Sequence, residues 1–373
     1  MNTKFFRESC ASKLDQLGPN SARMSAFVGL DGFVDEILQV VSLRRSADDF
    51  DRFTTITDFA SRLLEAAGRS TNVELVQERV KLGGNGPIMA NALATFGLDV
   101  TYLGCLGYPT LHPVFHDFAT RAKVHSICEP GKTDALEFSD GKVMLGKHYT
   151  LKEINWKNIQ ERYGRAPFAE QLGGATLVAF VNWTMLPYMS AIWETVLDEL
   201  CPSLSGPPRT IFFDLADPQK RSDSDILHAM ELVQRFQKYF NVVLGLNEKE
   251  AEHVGRVLGF PADHLDRDGL SILTGQIYNS MRIDTLVVHP VRYAIAAGPE
   301  GVVSVDGPVV TKPKITTGAG DHFNSGFCLG KLLGLSNEES LLCGVSTSGF
   351  YVRSAQSPTL PDLSGMMREW PGA

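Results

Sequence analysis

Apolar runs of strand length recur along this chain, at 26–30, 100–106, 176–181, 210–215, 242–246, 285–288 and 294–297. Several contain almost no polar residue, so both of their faces need cover, as in a parallel sheet held between helices. Segments of helical period lie between them: 86–96 closes at Gly97, 223–239 opens on Ser222-Asp223, and 248–258 closes at Gly259. Strand and helix in alternation predict a doubly wound α/β sheet, whose ligands belong at the carboxyl ends of the strands. One stretch breaks the rhythm. Residues 133–151 read as strand, Asp140-Gly141 turn and strand, a hairpin of the kind that covers a site. Residues 44–72 read as an extra amphipathic helical segment. No repeat, Pro-rich linker or break in composition divides the 373 residues, so a single domain over 1–373 with a small β lid is expected.

Composition narrows the class. Hydrophobic residues are 43% and charged residues 21%, which excludes a disordered chain. The net charge of −8 comes with no basic cluster, which argues against a nucleic-acid partner. It leaves room for a phosphorylated ligand, because helix N-termini and a metal supply positive potential locally. The cysteines, at 10, 105, 128, 201, 328 and 343, form no C-x-x-C pair and read as reduced thiols. Residues 171–193 are uncharged over a membrane-spanning length, but Asn182, Thr184, Pro187 and Ser190 split them into strand, turn and helix. The first residues contain no apolar stretch of secretory length. A cytoplasmic protein with no membrane partner is the expectation.

Two glycine-rich stretches open helices: Gly83-Gly84-Asn85-Gly86-Pro87, and Thr316-Thr317-Gly318-Ala319-Gly320-Asp321. Neither completes a dinucleotide fingerprint, since Met89 and Phe323 stand where the third glycine belongs. Gly131-Lys132-Thr133 ends like a Walker loop, but Ser126 replaces its first glycine. The second stretch has a direct physical reading. Gly318 and Gly320 let backbone amides turn inward at a helix start, where unpaired N–H groups and the dipole attract an anion. Asp321 then sits beside an anion cradle, where a carboxylate is unfavourable unless it accepts a proton from a hydroxyl attacking a phosphoryl group. An ordinary N-cap is the competing reading of Asp321. Asn247 and Glu250 follow the run 242–246 and offer hard oxygens to Mg²⁺ through water, although N-E-K-E is also a good helix start. Asp31 and Asp35, four apart on an extended N-terminal strand, can face one side and accept polyol hydroxyls; two surface acids are the plainer reading.

Taken in order, these elements resemble the ribokinase-like, PfkB-type carbohydrate kinases. GGNGPIMANALATFGLDVTYLGCLG (83–107) resembles the family's first signature, TTGAGDHFNSGF (316–327) its second, NEKEA (247–251) its metal motif and AQSPTLP (355–361) its C-terminal end. The resemblance implies a ribokinase-like fold and ATP- and Mg²⁺-dependent phosphorylation of an alcohol group of a sugar or polyol. It implies Asp321 as the base and Thr317, Gly318, Ala319 and Gly320 as the anion hole for the ATP phosphate. Asn247 and Glu250 would hold Mg²⁺ through water. Asp31, Asp35, Gly84, Asn85 and Asn182 would contact the sugar, and the hairpin would be the lid, through which family members also form homodimers. A nucleoside kinase of the same fold and a silent sugar- or nucleotide-binding regulator are the alternatives. Three positions depart from the family. Ile88 stands where an Asn often touches the sugar, Ile315 where an Asp often serves a monovalent cation, and His289-Pro290-Val291-Arg292 replaces a nucleotide turn. Little dependence on potassium is therefore expected.

Overall fold

The computed structural model describes residues 3–370. Its strands are β1 (Ser25–Gly29), β2 (Phe33–Arg44), β3 (Phe50–Arg52), β4 (Leu75–Gly83), β5 (Asp99–Gly104), β6 (Lys123–Ser126), β7 (Gly131–Phe138), β8 (Gly141–Lys147), β9 (Leu177–Phe180), β10 (Arg209–Asp214), β11 (Phe240–Leu246), β12 (Thr285–Val288), β13 (Tyr293–Gly298) and β14 (Gly301–Asp306). Nine of them form the main sheet, in the order β14-β13-β12-β11-β10-β9-β1-β5-β6. All neighbours from β12 to β6 run parallel, and β13 and β14 complete one edge antiparallel.

Both faces of this sheet are buried, which is why its strands lack polar residues. Phe27, Val178, Phe180, Ile211, Phe213, Val242 and Leu244 join one core, while Val28, Leu177, Ala179, Phe212 and Val243 join the other. The alternation is the two-residue period of a strand with helices on each side. Because the central strands are parallel, their carboxyl ends share one edge, and residues just beyond them converge there.

The chain leaves the main sheet after β1 and enters a second, five-stranded sheet, where β2 pairs with β4, β7 and β3, and β8 pairs with β7. Residues 28–35 are therefore not one continuous strand. Leu30-Asp31-Gly32 is the crossing between sheets, and only Asp35 lies on β2. A Cβ on Gly32 would lie 2.1 Å from the Cys105 carbonyl oxygen, so only glycine passes here. The hairpin expected at 133–151 consists of β7 and β8, joined at Ser139-Asp140, and supplies two of the five strands of the second sheet.

The segment 44–72 is helical only over Ile56–Glu65. Arg44 still belongs to β2, β3 occupies 50–52, and Gly68 has φ +76°. The helix starts where the Thr55 side chain accepts from the Asp58 N–H. It buries one side chain, Phe59, against Phe53 and Phe138 at ring distances of 5.7 Å. With Leu38, Val40 and Leu136 these residues form a small core separate from the other two. The extra segment thus backs the second sheet, the candidate lid.

Candidate active site

Gly318 caps the helix Ala319–Leu332 with φ +91°, a backbone conformation that strains any residue with a Cβ. A Cβ there would also lie 3.2 Å from Ile88 Cδ1 and from the Tyr351 hydroxyl. Gly320 faces the His289 ring, whose Cε1 would stand 3.2 Å from an added Cβ. The loop is fixed from behind. Tyr351 donates to the Thr317 carbonyl at 2.9 Å, and the His322 Nδ1 bonds the Gly318 carbonyl at 2.7 Å. His322 stacks on Tyr351 at 3.6 Å, and its Nε2 meets the Ser357 hydroxyl at 2.9 Å. Burial pushes the His322 imidazole down to about 4, so it stays neutral and Nδ1 is the donor.

Asp321 lies in the first turn of this helix, buried, with Oδ1 accepting from Asn85 Nδ2 at 2.9 Å. Burial, and then the Asp31 carboxylate, push its pKa well above the ordinary value, while the Asn85 hydrogen bond opposes them. The helix Asn85–Thr95 begins at Gly84, with φ +96°. Asp31 caps it from outside, its carboxylate accepting from the Asn85 and Gly86 amides at 3.0 and 2.8 Å. Asn182 Nδ2 adds 2.7 Å and the Tyr102 hydroxyl 3.4 Å. Even with four donors, burial raises Asp31 to about 6. Asn182 itself, at φ +60°, turns the chain immediately beyond β9. Asp35 lies on β2 with Lys81 Nζ 3.9 Å away, and a Cβ on Gly83 would strike its carboxylate at 2.5 Å. Asp31, Asn85, Gly86, Asn182 and Asp321 form one hydrogen-bonded group, Gly84 packs against the Asp31 carboxylate without bonding it, and the Gly83-Gly84 pair separates Asp31 from Asp35.

Asn247 and Glu250 form a capping box on the helix Glu248–Val257. Glu250 also accepts from the Asp217 amide at 2.8 Å, so both of its oxygens hold backbone. Among the described residues no three His, Cys, Asp or Glu side chains form a ready-made metal cage. Asp214, however, ends β10 with its Oδ1 buried and unpartnered. Burial, then Glu250 and Asp321, push Asp214 well above the ordinary value. An uncapped oxygen among mutually repelling carboxylates fits a hydrated divalent cation. Sequence reasoning missed Asp214, whose signal was a lone carboxylate closing the apolar run 210–215. It also missed Tyr102, Tyr351 and His322, which serve the site by packing and hydrogen bonds. His289 is half-buried beside Phe323, whereas Arg292 is exposed.

Residues 7–370 match the family model of the prokaryotic ketohexokinases. The chain belongs to the prokaryotic ketohexokinase family. A ketohexokinase from Haloferax volcanii is 32% identical over 337 residues, covering 90% of this chain and 88% of the relative. Among solved structures, the chain is similar to an Arabidopsis thaliana ribokinase complexed with ribose and ATP, at 15% identity and a TM-score of 0.65, covering 92% and 98% of the two chains. It is also similar to a mutant of phosphofructokinase-2 from Escherichia coli, at 13% identity and a TM-score of 0.60, covering 93% and 98%. These last two show the fold, that of the ribokinase-like kinases. The protein is a carbohydrate kinase of the PfkB type, which transfers a phosphoryl group to an alcohol group of a sugar. Among the described residues no helix is long and apolar enough to cross a membrane, and all six cysteines are buried and unpaired.

Proposed function

We propose that the acceptor is a ketohexose and the donor ATP, with Asp321 as general base. The observation that carries this reading is the buried Asp321 carboxylate, at the first turn of a helix capped by a left-handed glycine and bonded to Asn85. Asp31, Asp35, Gly84, Asn85 and Asn182 hold the sugar hydroxyls. Asp321 takes the proton of the attacking hydroxyl as its oxygen bonds the γ-phosphorus and the bond from that phosphorus to the bridging oxygen breaks, releasing ADP. Thr317, Gly318, Ala319 and Gly320 receive the phosphoryl oxygens on their amides, where the helix dipole offsets the developing charge. Mg²⁺, when bound, neutralises the donor phosphates, and Asn247, Glu250 and Asp214 are the groups that would hold it, largely through water. The lid sheet excludes the water that would otherwise take the phosphate. The open edge of β8, with Met144 and Leu145 exposed, supports pairing of two copies through the lids.

A coupled assay of ADP release against ketohexoses, aldohexoses and nucleosides tests the acceptor. Turnover is expected with ketohexoses above the others, and a preference for nucleosides would overturn the assignment. Asp321→Asn should leave ATP binding nearly unchanged while turnover falls by about 10² or more. Near-normal turnover in that variant would remove Asp321 from the chemistry.

A further inference from the structure

A cavity of about 230 Å³ lies between the lid sheet and the loop preceding Gly318, and its lining carries Arg79, Lys81, Lys142 and Lys314 against one carboxylate, Glu137. Arg79 and Lys81 are alternate residues of β4, so they project to one face. Lys142 comes from β8 and Lys314 from the body of the protein. The Lys142 ammonium already donates to the Thr317 hydroxyl, one residue before the anion loop. Burial holds the Lys81 ammonium below its ordinary pKa, and Lys142 and Arg79 push it the same way, with Asp35 opposing. Arg79, Lys142 and Lys314 are exposed and Lys81 is half-buried, so four cations stand against the two carboxylates Asp35 and Glu137, and the net positive charge favours an entering anion. A neutral sugar supplies none, so the hydroxyl-binding groups leave this cluster unexplained.

We propose that this cavity is a phosphate subsite, in which Lys142, Lys81 and Arg79 neutralise a phosphate group adjoining the anion loop. The inference rests on the kinase reading above and adds to it a second charged wall, opposite the helix N-terminus. Lysine and arginine clamps of this kind bind phosphate by charge-assisted hydrogen bonds. The shared chemistry is a phosphate monoester or terminal phosphoryl group, with two sources: the group leaving ATP, or a phosphate already carried by the sugar.

The test is calorimetric titration of the full chain with inorganic phosphate, with ATP, and with a ketohexose monophosphate. The proteins compared are the wild type, Lys142→Met, Lys142→Arg and Lys81→Met. Inorganic phosphate should bind the wild type, bind Lys142→Met about tenfold or more weakly, and recover in Lys142→Arg. A parallel loss for ATP assigns the subsite to the donor. A loss for the sugar phosphate with ATP unaffected assigns it to the acceptor. Phosphate binding unchanged in both Met variants overturns the subsite. The readout is binding alone, so a wild type that binds phosphate but phosphorylates no ketohexose would fail the functional reading and leave the subsite standing.

Discussion

Asp321 is held between two neighbours that pull its proton affinity in opposite directions. Burial comes first and Asp31 second, both favouring the neutral acid, while the Asn85 amide stabilises the carboxylate. A general base acts only when ionised, so activity should rise with pH as Asp321 loses its proton. Removing the amide donor leaves only a backbone hydrogen bond against the raising effects. Asn85→Ala should therefore move the acidic limb of kcat to higher pH by about one unit, the equivalent of one charge-assisted hydrogen bond. The measurement is kcat across pH 5 to 9 at saturating substrates. A limb that stays in place or moves down would separate Asn85 from the base. Asp35 is a different kind of carboxylate, on β2 outside the bonded group of Asp31, with Lys81 3.9 Å away. Asp35→Ala should raise the acceptor KM by about tenfold to a hundredfold and leave the ATP KM near its original value. A shift in the ATP constant instead would place Asp35 with the phosphates.

The helix that carries the anion loop is seated by close approach to its neighbour. A Cβ on Gly326 would lie 2.3 Å from the Thr347 hydroxyl and 2.6 Å from the Cys343 carbonyl, both on the helix Asn337–Ser354. Backbone cannot yield as a flexible side chain does, so Gly326→Ala must push the two helices apart. The expected cost is about 1–3 kcal/mol in urea unfolding, with a loss of turnover because the loop at 318–320 moves with its helix. Unchanged stability would mean that the pair is loosely packed. Such seating was invisible in the sequence, where Gly326 is one glycine among 34. The main-sheet strands were legible because burial on both faces leaves them uniformly apolar. The strands β2 and β4 were not, since FVDEILQVVSLR carries Asp35, Glu36 and Gln39 among its buried apolar residues and LVQERVKLG lies largely in water. The glycine-rich loops and Asp321 were legible because left-handed turns and a helix start leave a local signature. Asp214, Tyr351 and His322 join the site only through tertiary contact, which no local pattern records.

Across the whole molecule the buried carboxylates make stability depend on pH in a direction opposite to the usual acid. Asp31, Asp214, Asp321 and Glu250 are all raised by burial, so the folded state keeps protons that the unfolded chain releases. A raised carboxyl loses stability for the fold as pH climbs from its unfolded value through its folded one. His289 and His322 act the other way. Burial lowers both to about 4 from 6.5, so the unfolded chain binds their protons more tightly and stability rises with pH over that interval. Below pH 6.5 these slopes oppose each other, and Asp31, at about 6, has passed most of its transition by then. Above 6.5 the histidines contribute nothing further, while burial holds Asp214 and Asp321 well above the ordinary value and makes their ionisation cost the fold stability. The melting temperature should therefore fall as pH rises beyond 6.5. Mg²⁺ should reduce the fall, because a divalent cation among these carboxylates favours their ionised form. Asp214→Asn should flatten it in the absence of metal, since one of the two carboxyls raised furthest is gone. Thermal unfolding over that range, with and without Mg²⁺ and in both proteins, checks each step. A melting temperature that rises over this range in the wild type would show that these carboxylates reach solvent or a cation more readily than their burial indicates.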